Sequence, residues 1–378
     1  MKIVIAIDSF KGSLSSAEAG KAAAEGIRRV FGSADIVIRP VADGGEGTTE
    51  ALVTGLNGRF AEAVVTDPIG RRINAVYGIL PDNTAVIEMA AASGLPLLSE
   101  SERDPMVTTT YGTGELIFDA IKQGCRNFII GIGGSATNDG GIGCLQALGF
   151  GMLDKNGRQT GYGAKGLSQL VRITGCNAVP QLSECSFNVA CDVTNPLCGE
   201  KGCSAVFAPQ KGADPEMVRK MEGYMRKYAE LAKSFAPAAS PDTAGAGAAG
   251  GLGFALMYFL NAGLRSGVDL IISETGLEKA IADADIVVTG EGCIDGQTAM
   301  GKAPAGIAET AGKYGKPVIA FCGAVREGAE LCNEKGIDAY FPVLRSVCTL
   351  EEAMDSSAAY KNLADTAEQV FRTIKLFY

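Results

Sequence analysis

Lys2-Ile3-Val4-Ile5-Ala6-Ile7-Asp8-Ser9-Phe10-Lys11-Gly12-Ser13 opens the chain with an apolar run that stops at a carboxylate. Residues 3–7 are continuously apolar, as expected of a strand buried on both faces of a parallel sheet. Ser15 and Glu18 form a capping-box pattern, and Ala23, Ile27, Val30 and Phe31 follow at helical spacing. Residues 35–39 read as the next strand. The same alternation returns near the other end of the chain. There 285–289 reads as a strand, 290–303 as a polar loop, Pro304 as a helix start and 317–322 as a further strand. Such βαβ units imply right-handed crossovers and a parallel sheet.

Between these ends the pattern changes. Residues 60–66, 72–79 and 84–89 read as strands, with turns at Asp67-Pro68-Ile69-Gly70 and Pro81-Asp82-Asn83. Connections this short require antiparallel pairing. Further strands are expected over 128–132 and 187–191, and helices over 114–123 and 214–235. The small-residue segment 236–253 reads as a closely packed loop ahead of an apolar helix over 254–260. The expected fold is therefore α/β with two domains. A discontinuous parallel domain covers 1–60 and 280–378, and an inserted mixed α/β domain covers 61–279. Ligands of parallel sheets bind beyond the carboxyl ends of the strands, where the polar loops fall.

Composition narrows the chemistry. The chain has 378 residues and a formal charge of −9, with no local basic cluster, so nucleic acid and anionic membrane surfaces are poor partners. No apolar run is long enough to span a bilayer. Eleven cysteines include no Cys-x-x-Cys pair, and the Cys198–Cys203 spacing suits no familiar zinc site. Free thiols in a reducing cytoplasm are expected. There is no histidine, which removes Ser-His-Asp and Cys-His catalysis, histidine-ligated zinc and a histidine base. Carboxylates, lysines, arginines, hydroxyls, backbone amides and an added metal ion remain.

Several loops carry such groups. Asp8, Lys11 and Ser13 follow the first strand. Asp43-Gly44-Gly45-Glu46-Gly47-Thr48 precedes a helix whose N-terminal amides could meet an anion. Gly133-Gly134-Ser135-Ala136-Thr137-Asn138-Asp139-Gly140-Gly141 is Gly-rich and polar. It opens as Gly131-x-Gly133-x-x-Ala136, a partial dinucleotide fingerprint with Asp154 about 20 residues on. Its helix signal starts only after Asp139, too late for a tight Rossmann turn. Asp192 ends another strand, and Lys211 follows. Glu291 and Asp295 lie in the 290–303 segment, where Gly296-x-x-x-x-Gly301-Lys302 lacks the Ser or Thr of a Walker loop. Acids, lysines and glycine-rich amide cradles are what Mg-nucleotide phosphoryl transfer needs.

At these residues the chain resembles the type I glycerate kinase family. The resemblance spans nearly the whole sequence. It rests on Asp8–Ser13, Ala42–Thr48, Ile132–Gly141, Asp192–Leu197, Pro209–Ala213, Gly245–Gly253 and Thr289–Gly292. It implies phosphorylation of glycerate by ATP with Mg, giving 2-phosphoglycerate. It also implies two α/β domains, one of them a flavodoxin-like three-layer parallel sheet, with the active site in the cleft between. Two departures stand out: Ile7 where the family often has Pro, and Cys293 where an Arg commonly follows Thr-Gly-Glu-Gly.

On this reading Asp192 or Asp8 orients the acceptor hydroxyl, with Lys11 in the catalytic group. Ser13, Asp43, Glu46, Gly133, Gly134, Ser135, Asn138, Lys211, Asp295 and Lys302 bind substrate or nucleotide, and Glu291 or Asp139 holds Mg. The protein acts on glycerate and ATP as a monomer or homodimer. Two other readings compete. A nicotinamide-dependent dehydrogenase would bind NADH and release no ADP. A non-catalytic metabolite-binding protein would bind glycerate without turnover.

Overall fold

A computed structural model describes residues 1–377. Along the chain, β1 (Lys2–Ile7) and β2 (Asp35–Ile38) precede β3 (Arg59–Thr66), β4 (Arg72–Ile79) and β5 (Thr84–Glu88). Then come β6 (Asn127–Gly131), β7 (Gly151–Leu153), β8 (Arg172–Thr174), β9 (Ser186–Ala190) and β10 (Gly263–Arg265). β11 (Ile286–Ile294), β12 (Val318–Val325) and β13 (Ala339–Pro342) complete the series. The chain forms two compact units. The first comprises Met1–Asp43, Glu50–Asn57 and the chain from Gly267 onward; the second comprises Gly44–Thr49 and Gly58–Ser266.

The sheet of the first unit has the order β13-β12-β11-β1-β2, with every pair parallel. Read from β2, this is the 2-1-3-4-5 order of flavodoxin-like sheets. Ile3, Val4 and Ile5 are fully buried, which explains the unbroken apolar run. The helix Ser16–Arg28 joins β1 to β2, and Ala303–Gly312 joins β11 to β12. These crossovers leave the β1–β11 pair in opposite directions, so right-handedness places their helices on opposite faces and makes three layers. The Ser15–Glu18 capping box forms. The C-terminal helix Ser356–Ile374 packs on Ser16–Arg28. There Arg29 spans Glu25 at 2.7 Å, Asp365 at 2.9 Å and Glu368 at 3.2 Å. Strand order reverses between β1 and β11, the position at which such sheets open a crevice.

One expectation fails usefully. The 290–303 segment does not begin as a loop, because β11 runs through Gly290-Glu291-Gly292-Cys293 to Ile294. β12 extends alongside, pairing Glu291 with Cys322 and Cys293 with Ala324. Glycine permits this close pairing: a Cβ at Gly290 would sit 2.1 Å from the Phe321 carbonyl oxygen. Glu291 therefore projects from a rigid strand.

The second unit carries a six-stranded mixed sheet, β10-β9-β6-β5-β4-β3, and a separate β7–β8 pair. β3–β4 and β4–β5 are antiparallel, as their short turns require, while β5–β6, β6–β9 and β9–β10 are parallel. Phe128 and Phe187 stack across neighbouring strands at 4.8 Å. The apolar helix expected over 254–260 lies within Ala248–Phe259, and its right-handed geometry starts only after Gly251, because Ala249, Gly250 and Gly251 take left-handed φ/ψ and break the helix there. Its close packing is real. A Cβ on Gly250 would lie 2.1 Å from the Thr137 oxygen, and the Gly140 N–H donates to the Gly250 carbonyl at 2.9 Å. Among the described residues, no helix is long and apolar enough to cross a membrane.

Candidate active site

In the first unit a cavity of about 400 Å³ opens at the carboxyl ends of β1, β11 and β12, where the strand order reverses. Asp8, Lys11, Ser13, Asp43, Glu291, Asp295 and Lys302, seven of the residues singled out in the sequence, all line it. Phe10, Val343, Leu350 and Met354 form an apolar wall.

Asp8 follows β1 directly. Its backbone N–H donates to the Gly290 carbonyl at 2.9 Å, and its Oδ1 accepts the Ser9 N–H at 2.6 Å. The side chain is 4% exposed. Burial, then the nearby Asp43 charge, raises its pKa to about 7, with Glu291 adding to the shift and the Ser9 amide and Lys11 opposing it. Ser16 secures this strand end, its hydroxyl donating to the Ile7 carbonyl at 2.5 Å and accepting the Val41 N–H at 2.9 Å. Lys11 lies 3.6 Å from Asp43.

Burial also raises the pKa of Glu291. A hydrogen bond from Thr298 and the charge of Lys302 oppose that shift, while Asp295 and Asp43 add to it. The Thr298 hydroxyl donates to Glu291 Oε1 at 2.6 Å and accepts the Asp295 N–H at 3.1 Å. Asp295 Oδ1 in turn accepts the Gln297 and Thr298 amides at 2.8 and 3.2 Å. Lys302 sits before the helix Ala303–Gly312, with Nζ 3.7 Å from Glu291 Oε2.

The sequence reading overlooked Arg326, which lines this cavity. Its backbone N–H donates to the Ile294 carbonyl at 2.9 Å, and its charge acts on Cys293. Lys11 and Lys302 each face a carboxylate, whereas the Arg326 guanidinium pairs with no carboxylate of the described residues. The usable signal was its place directly after a parallel strand.

In the second unit, two glycine loops press together. A Cβ at Gly131 would lie 2.5 Å from the Gly44 carbonyl oxygen, and one at Gly133 would lie 3.2 Å from the Gly45 Cα. Gly133 and Gly134 are exposed, whereas Ser135, Asn138 and Asp139 are buried. Lys211 is buried too, its Nζ donating to Ser135 Oγ at 2.7 Å and to the Thr137 carbonyl at 2.6 Å. Burial lowers its pKa to about 8.

Asn138 donates to Ser204 at 2.9 Å. Asp139 is occupied structurally: Oδ2 accepts the Thr110 N–H and hydroxyl, both at 2.9 Å, and Oδ1 accepts the Gly141 N–H at 2.9 Å. Burial raises its pKa. Asp139 and Glu291 belong to different units. Asp192 is exposed just beyond β9, and Glu46 is exposed in its turn. The amides expected to be open after Glu46 are used internally: Glu88 at the end of β5 accepts the Thr49 N–H at 2.7 Å and a bond from the Gly47 amide.

The dinucleotide fingerprint does not form a Rossmann turn. β6 ends at Gly131 and the next helix begins at Ile142. Asp154 instead accepts the Asn156 and Arg158 amides at 2.8 and 2.9 Å in an exposed turn. The Walker-like segment forms a short 3₁₀ turn, Thr298–Met300, before Lys302.

The sequence model of the glycerate kinase family matches residues 3–375. The chain belongs to the glycerate kinase family. It is 48% identical to the glycerate 2-kinase of Escherichia coli K12 over 377 residues, covering all of this chain and 98% of that protein. It is 47% identical to the glycerate kinase of Bacillus subtilis 168, again over all of this chain and 98% of the relative. The fold matches the crystal structure of a Salmonella typhimurium LT2 protein described as glycerate kinase 2. The TM-score is 0.91 at 47% identity, over 100% of this chain and 98% of that one. Membership of this family makes the chain an enzyme, a kinase acting on an alcohol group, and implies ATP use.

Proposed function

We propose that this enzyme transfers the γ-phosphoryl group of ATP to the 2-hydroxyl of glycerate, giving 2-phosphoglycerate and ADP. The observation that carries the chemistry is Asp8, a buried carboxylate in the cavity with its pKa raised to about 7. A general base works best when its pKa lies near the working pH. Asp8 takes the proton of the acceptor hydroxyl. The hydroxyl oxygen forms the new bond to phosphorus as the bond to the ADP oxygen breaks. Asp192, the other candidate base, is exposed, and a base there would lack the burial that tunes Asp8.

Lys11 and Lys302 offset negative charge developing on the transferred group. Arg326 offers the fork geometry that suits the carboxylate of glycerate, and supplies a cation directly after β12 whose charge reaches the neutral Cys293. Gly133, Gly134 and Ser135 receive nucleotide phosphates. The carboxylates Asp8, Asp43, Glu291 and Asp295 bring hard oxygen donors to the cavity, and these suit Mg²⁺. No preformed cluster of three ligating side chains occurs among the described residues, and Mg²⁺ is ordinarily held by one or two carboxylates plus substrate phosphates. Glu291 would hold it, with Asp295 or Asp43 beside it. Bound there, it would neutralise phosphoryl oxygens. The eleven free cysteines fit a reducing compartment such as the cytoplasm.

A coupled ADP-release assay across small hydroxy acids, with NMR of the product, tests the reading. Phosphate at C2 of glycerate is the expected result. No ADP release with glycerate would refute it.

A further inference from the structure

Lys211 closes the short turn Pro209–Lys211 and is 1% exposed. An ammonium group donates and never accepts. In its 2.7 Å bond with Lys211, the Ser135 oxygen is therefore the acceptor, and the Ser135 hydroxyl hydrogen must point elsewhere. None of the described residues accepts it.

The backbone on either side tells the same story. The Leu95 N–H donates to the Gly134 carbonyl at 2.9 Å, and the Ala136 N–H donates to the Ser93 carbonyl at 2.9 Å. These two bonds fix the loop. The N–H groups of Gly133 and Gly134 donate to no described residue. Gly134 has φ +70°, the left-handed step that turns successive amides toward one concavity able to hold an anion. Two amides and one hydroxyl thus lie in one short turn without a described acceptor, and a buried ammonium is bonded to that hydroxyl.

We propose that Lys211 is a positioning residue that orients the Ser135 hydroxyl as a donor and charges the Gly133–Ser135 turn, making it the seat of a nucleotide phosphate. This rests on the kinase reading above and assigns one of its ligand groups. Lys211 acts through Ser135. The charged or titratable groups that act on Lys211 are Asp139 and Cys203, the latter in the helix Cys203–Phe207. Both favour the ammonium form, while burial opposes it.

The test is calorimetric titration of the full chain with AMP-PNP and, separately, with glycerate. Ser135→Ala and Lys211→Met should weaken AMP-PNP binding roughly ten- to hundredfold and leave glycerate binding unchanged. Lys211→Arg should restore part of the loss. Wild-type affinity for AMP-PNP should fall as pH rises past about 8, and Lys211→Met should lose that step. Ser135→Ala keeps Lys211 and its bond to Thr137, so it covers the case in which Lys211→Met does not fold. Unchanged AMP-PNP binding in a folded Ser135→Ala protein would overturn the proposal, as would a loss confined to glycerate. Binding needs no turnover, so a wild type that binds AMP-PNP this way yet releases no ADP with glycerate would refute the functional reading alone.

Discussion

Ile7 pairs with Gly290 across adjacent parallel strands, so Asp8, directly after β1, stands beside Glu291 within β11. Both carboxylates are buried, and each belongs to the strand that begins one direction of the sheet. The point where the topology reverses thus delivers two acids with raised pKa values to one cavity.

Asp8→Asn should lower kcat by roughly 10²–10⁴ with little change in either KM. In the wild type, kcat/KM should rise as pH passes about 7, because the base must be deprotonated. That limb should vanish in the variant. Asp192→Asn should keep it. Stopped assays across pH 5–9 separate the two candidates, and a surviving limb in Asp8→Asn would reject the assignment.

The same residue should cost the fold stability. Its folded pKa is raised, so its favourable contribution is complete below about 3.8 and is lost as pH climbs through about 7. Asp8→Asn should therefore melt higher than wild type at pH 8, by a few kcal/mol at about 1.4 kcal/mol per unit, and lose this advantage near pH 4. Thermal denaturation at the two pH values is the measurement.

Thr298→Val removes the hydroxyl bridging Glu291 and Asp295. Leaving a buried carboxylate without that bond should cost about 1–3 kcal/mol. It should also raise the pKa of Glu291 further and increase the Mg²⁺ concentration needed for half-maximal rate. Urea denaturation and a metal titration read the two effects.

Arg326→Ala should raise KM for glycerate roughly ten- to hundredfold without moving KM for ATP. Arg326→Lys should fall between, because an ammonium lacks the two-pronged geometry. Equal changes in both KM values would show that Arg326 serves the fold rather than the acceptor.

Gly290→Ala should destabilise by about 3 kcal/mol or more, since its Cβ would meet the Phe321 carbonyl oxygen at 2.1 Å. Backbone blocks that approach and cannot swing aside as a side chain can. Urea denaturation of the variant provides the check.

Local pattern carried much of this architecture. The apolar run at Ile3–Ile7, the turns at Asp67 and Pro81, and the capping box at Ser15 all act within a few residues. Seven cavity-lining residues were legible because strand-end acids and lysines stand out against apolar strands. The 290–294 extension was hidden because Gly290 and Gly292 read as loop until β12 is known to lie beside them. The Thr49 amide seemed open because its acceptor, Glu88, lies 39 residues away. The Lys211–Ser135 bond was hidden for the same reason, joining residues 76 apart in sequence.

The split path of the first unit also sets a timetable. β1 takes its central neighbour from β11, yet Ile3 and Ile286 are separated by the entire second unit. During synthesis, β1 and β2 leave the ribosome long before β11 exists, while the sheet of the second unit has all its strands once Arg265 emerges. A strand with five consecutive apolar residues, Ile3–Ile7, must therefore wait with one edge unsatisfied. Its protection from aggregation over that interval falls to the helix Ser16–Arg28 and to whatever attends the nascent chain.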